Sequence, residues 1–147
     1  MSVSMLPKRR SINDVFLRKC DKQVVLIDFI PASAGDQFDL TFEETQSDWR
    51  QGVWLGVDGI IEVAGAASAS MQIWSDNAPA TTRIKIDEVN GGLFLYNIWD
   101  RGHGPQSQAH TSGMLIEEIE NGWRYSCQSI NLNPLFDDIR IRIERVR

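Results

Sequence analysis

The sequence predicts an all-β protein: an antiparallel β-sandwich, jelly-roll-like, with a short N-terminal helix or arm. Three observations carry that expectation. Hydrophobic residues recur at period two from residue 23 onward. Asp58-Gly59, Asn90-Gly91 and Asn121-Gly122 punctuate the alternating runs, and such pairs favour hairpin turns. Crossover helices for a parallel sheet have no room between the runs, so the connections are antiparallel.

The elements follow in order. Residues 1–10 read as a basic arm. Residues 11–19 read as one short helix, with Ser11 as N-cap and Ile12, Val15 and Phe16 at helical spacing. Gln23–Ile30 is apolar and β-branched, and Pro31 stops it. Gln37–Glu43 puts Phe38, Leu40 and Phe42 on one face and Asp39 and Thr41 on the other, a strand with one wet side. Asp58-Gly59 separates Val53–Val57 from Ile60–Ala64, and Ala69–Trp74 follows. Asn90-Gly91 separates Thr82–Val89 from Leu93–Trp99, the latter apolar on both faces and so expected at the centre of a sheet. The register of that hairpin stays open. Asn121-Gly122 joins Met114–Glu120 to Trp123–Ser129, pairing Glu120 with Trp123, Glu118 with Tyr125 and Ile116 with Cys127. Asp138–Val146 closes the chain with Ile139, Ile141 and Ile143 inward. Residues 1–22 thus form an arm and 23–147 one domain.

Charge is unevenly spread. The net charge is −5, yet residues 1–22 hold six basic and two acidic groups, 23–139 hold five and 17, and 140–147 hold four and one. An acidic body between basic ends argues for pairing within the chain or between subunits, including an N-terminal arm exchanged in a homodimer. It argues against nucleic acid, because the patch Lys8-Arg9-Arg10 releases few counterions. No apolar run approaches the roughly 20 residues of a membrane span. Two cysteines, Cys20 and Cys127, make no disulfide framework and suit a reducing cytoplasm.

Candidate chemistry concentrates in Asp100–Ser112, a long segment holding both histidines. His103, His110 and Asp100 could form a two-histidine, one-carboxylate metal site. The seven-residue gap between the histidines fixes no geometry in a loop, so solvated histidines and no metal are expected. A nucleophile elbow and a phosphate loop are both missing. Glu117 alternates away from Glu118 and Glu120, so no carboxylate pair is set up for glycoside chemistry. Of the five tryptophans, Trp49, Trp74 and Trp99 stand beside polar segments and are expected to be the exposed ones.

Two functions are compatible with this pattern. The first is a non-catalytic, cofactor-free binding module for a polar small ligand such as a carbohydrate, with a site at Trp99, Asp100, Arg101, His103, His110 and Arg124. The second is a protein-interaction or assembly factor, of the immunity type or an oligomeric structural protein, whose acidic faces meet a basic partner.

Overall fold

The computed structural model describes residues 10–13, 23–109, 111–130 and 135–146. Its ten strands are β1 (Ser11–Ile12), β2 (Val25–Pro31), β3 (Gln37–Thr45), β4 (Arg50–Val63), β5 (Ala66–Trp74), β6 (Thr81–Asp100), β7 (Pro105–Gln106), β8 (Gly113–Ile119), β9 (Gly122–Gln128) and β10 (Ile139–Arg145). All described pairings are antiparallel. The strands form one sheet, where a two-sheet sandwich was expected. Pairing runs β2-β8-β9-β10-β3-β6 and returns from β6 to β2, closing a six-strand barrel. Strands β4 and β5 extend the sheet beyond β6. Among the described residues no helix is long and apolar enough to cross a membrane.

The closure depends on β6. One edge of this 20-residue strand pairs with β4 along its length. Its other edge takes β3 at residues 81–85 and β2 at residues 92–95. Two of the three expected hairpins are therefore absent. Asp58-Gly59 lies within β4 and Asn90-Gly91 within β6, and Gly59 pairs with Val89 across a register shift. Gly59 and Gly91 do take positive φ, 150° and 98°. These glycines supply matched kinks in two adjacent strands rather than chain reversals, because pairing on both edges of β6 outweighs the local turn preference. The reversal between β4 and β5 falls instead at Ala64-Gly65, both at positive φ.

The third hairpin forms, but its register slides by two. Ile116 pairs with Tyr125 and Glu118 with Trp123, leaving Glu120-Asn121 as the turn. A shift of two preserves faces, so Met114, Ile116, Trp123, Tyr125 and Cys127 still share one side. Gly122 has moved into the strand, where a Cβ would collide with the Ile143 carbonyl oxygen and crowd the Glu144 Cα at 2.8 Å. The glycine is needed there for close approach of β10.

The expected N-terminal helix is also corrected. Ser11 and Ile12 extend along β2, opposite Ile27 and Val25, while residues 14–19 lie outside the described residues. Arg10, just ahead of β1, donates from Nε to Asp28 Oδ1 at 2.8 Å. Tyr125 donates to Asp28 Oδ2 at 2.6 Å. The Asp28 side chain is 1% exposed, so a buried carboxylate is held by one cation from the N-terminal segment and one barrel hydroxyl. Burial, then the Asp28 charge, pushes the Tyr125 hydroxyl well above its ordinary value. The main core cluster is built from Phe38, Leu40, Ile84, Leu95, Ile141 and their neighbours, all buried, while Gln51, Asn97, Gln128 and Ser129 are buried with hydrogen bonds.

The basic C-terminal strand pairs within the chain as well. Arg140 meets Glu44 at 3.1 Å, Arg142 meets Glu144 at 2.7 Å and Arg145 meets Asp36 at 3.5 Å.

Candidate functional site

The loop after β6 is organised by Asp100. Its Oδ1 accepts the Gly102 amide at 2.7 Å and the Gly104 amide at 3.2 Å. These amides, Gly102 first, hold the Asp100 carboxyl below the usual range. Gly102 and Gly104 both adopt positive φ, which lets the loop wrap around this one carboxylate. Asp100 is thus committed to its own backbone.

The remaining expected site residues are not gathered by this loop. Trp99 is fully buried, contrary to expectation, because it shares a face of β6 with Leu93, Leu95 and Asn97, which are also buried. Its indole Nε1 has no hydrogen-bond partner among the described residues. Trp74 is likewise buried, at 7% exposure. Arg101 is exposed, bonds Gln106 at 3.1 Å and lies over the Trp49 ring at 5.2 Å. His103 is exposed in the loop, and His110 lies outside the described residues. Among the described residues no group of His, Cys, Asp and Glu could hold a metal ion.

Arg124 belongs to another surface. It bridges Glu43 at 2.7 Å and Glu117 at 3.7 Å across β9, β3 and β8. With Glu44, Ser126 and Arg140 these residues line a depression of about 390 Å³. Arg142 also reaches Glu43 at 3.6 Å. The carboxylates there are matched by arginines, so the patch is a self-satisfied ionic ladder.

A different face carries the exposed aromatic chemistry. On β4, Val53 and Leu55 point into the core, which puts Gly52, Trp54 and Gly56 on the opposite face. Cross-strand pairing sets Trp54 between Gln72 of β5 and Tyr96 of β6. Trp54 and Tyr96 stack with centroids 4.8 Å apart and planes 8° from parallel. The Trp54 ring reaches across Gly56 so closely that a Cβ there would overlap it. Gly52 packs against the Ile73 carbonyl oxygen and the edge of the Trp74 ring, and Arg50 caps that ring at 4.3 Å. One step further, Phe29 of β2 meets Phe94 of β6 at 5.2 Å.

Phe94 and Ile98 are buried in this layer, whereas Trp54, Tyr96 and Phe29 remain half-buried. Hydrogen-bonding groups surround the rings. Ser70 and Gln72 are exposed on β5, and Ser107 lies beside the Tyr96 hydroxyl. Burial raises the Tyr96 pKa, keeping the phenol neutral and able to donate. The arrangement offers half-buried aromatic rings beside polar side chains, which suits a ligand that is apolar on its faces and polar at its edges. The signal for it in the sequence is Gly52-Val53-Trp54-Leu55-Gly56, a tryptophan between two glycines at strand period. The sequence matches no protein-family model and no curated protein.

Proposed function

We propose that the protein is a non-catalytic binding module for a polar small ligand, a carbohydrate being the chemistry that fits, and that the ligand lies on the β4–β6 aromatic face. The stacked Trp54–Tyr96 pair supports this reading, because it leaves half-buried rings beside the exposed Ser70 and Gln72. Sugar rings present C–H groups to aromatic faces and hydroxyls to a polar rim. The loop residues Asp100 and Ser107 border this face through Arg50 and Tyr96. A reducing cytoplasm suits the free, buried Cys127 thiol.

A glycan screen read by tryptophan fluorescence tests the proposal. Wild-type quenching should weaken at least about tenfold in Trp54→Ala and Tyr96→Ala and persist in Arg101→Ala/His103→Ala. No quenching by any glycan would abandon the carbohydrate reading. The second reading, an interaction factor meeting a basic protein, is favoured by Asp58, Glu62, Asp87 and Glu88. None of the four has an ion-pair partner among the described residues.

A further inference from the structure

The sheet ends at β5, which pairs with β4 on one side and with no described strand on the other. The opposite end of the sheet, β1, is two residues long. An unpaired strand edge is a row of free amides and carbonyls, and proteins ordinarily guard it with lysine, proline, bulges or short length. The nine residues of β5, Ala-Ala-Ser-Ala-Ser-Met-Gln-Ile-Trp, include no charge and no proline. Residues 66–70 are all exposed, so no side chain among the described residues shields the edge there. The local bulge lies in β4, between Gly56 and Ile61, and leaves β5 itself extended.

We infer that β5 is a self-association edge, and that its occupant is the β5 of a second copy, joined antiparallel about a two-fold axis. Charge argues for this partner. The chain carries −5 overall, yet no acidic group lies on β5, so two copies meet there without opposing charges. Nor does the edge offer charge to steer a basic or acidic foreign peptide. Symmetry agrees, since an isologous pair centred at Ser70 sets Ser68 opposite Gln72 and Ala66 opposite Trp74. Those pairs keep their faces, because residues of equal parity share one side of a strand. The two sheets then continue through the interface. Their aromatic faces fall on one side, a consequence that rests on the function proposed above. One short edge buries less than the roughly 800 Å² per partner of a standard interface, so a micromolar dimer is expected.

Sedimentation of the full chain from about 1 to 500 µM tests the inference. Wild type should pass from monomer to dimer. Ser68→Lys/Ser70→Lys, at exposed positions, should raise the dissociation constant at least about tenfold with an unchanged circular dichroism spectrum. In a Cys20→Ser background, Ser70→Cys should form a disulfide dimer on mild oxidation and Glu120→Cys, on the far hairpin, should not. A wild type monomeric throughout overturns the inference. So does a dimer indifferent to the lysines, or one abolished only by removing residues 1–9, which would assign association to the N-terminal arm.

Discussion

Replacing Arg10 with alanine removes the cation that, among the described residues, pairs with the Asp28 side chain, which is 1% exposed. Breaking a fully buried ion pair by deleting one partner costs about 3–5 kcal/mol, because the remaining charge is left uncompensated. Two features lower that here. The Arg10 side chain is 40% exposed, so water can replace part of its role, and Tyr125 still donates at 2.6 Å. We expect a loss of about 2–3 kcal/mol, which for a chain of this size is roughly 5–10 °C in Tm. Urea unfolding followed by tryptophan fluorescence measures it. A double-mutant cycle with Asp28→Asn isolates the pair: once the charge at 28 is gone, Arg10→Ala should cost less than about 0.5 kcal/mol. Equal losses in both backgrounds would refute the reasoning, since Arg10 would then act through packing alone.

Other predictions follow from single features. Folding raises the Tyr125 hydroxyl and Cys127 thiol above their ordinary values, mainly by burial, so the folded state holds both protons more tightly than the unfolded chain. Their contribution is full below the unfolded values, about 8.5 for cysteine and about 10 for tyrosine, and is lost as pH rises past them. Tm should therefore decline above about pH 8.5, less steeply in Tyr125→Phe, whereas a flat profile to about pH 11 would contradict this. Thr82 is buried and its hydroxyl has no hydrogen-bond partner among the described residues, so Thr82→Val should gain about 1 kcal/mol in urea titrations. Gly122→Ala should cost about 2 kcal/mol or more, because its Cβ meets the backbone of β10. Gly35→Ala, at φ 94° with open space around it, should cost only about 1 kcal/mol, and equal losses would remove the steric explanation.

What was legible in the sequence was strand parity. Phe38 and Leu40, Met114 and Tyr125, and Ile139, Ile141 and Ile143 occupy the interior as alternation requires. Chain reversal was less legible. Asp-Gly and Asn-Gly report tolerance of positive φ, and the kinks at Gly59 and Gly91 use that tolerance as readily as a hairpin does. Only the two-sided pairing of β6, a long-range fact, separates the cases. The exposure of Trp99 was not legible from its place beside a loop, because nearness to a loop does not fix which face of a strand a residue takes. Parity with Leu93 and Leu95 would have sent Trp99 inward. Arg124 could not be assigned from its own neighbourhood, because Glu43 lies 81 residues away in the chain. The Trp54–Tyr96 stack needed the β4–β6 register, which no local pattern reveals.

The placement of the ligand face is tested most directly by amide chemical-shift mapping with a glycan that quenches tryptophan fluorescence. The expected result is perturbation centred on residues 54, 56, 72 and 96 and on the Trp54 indole, with the 101–104 loop little changed. Perturbation confined to that loop, or to the Glu43–Arg124 surface, would contradict it.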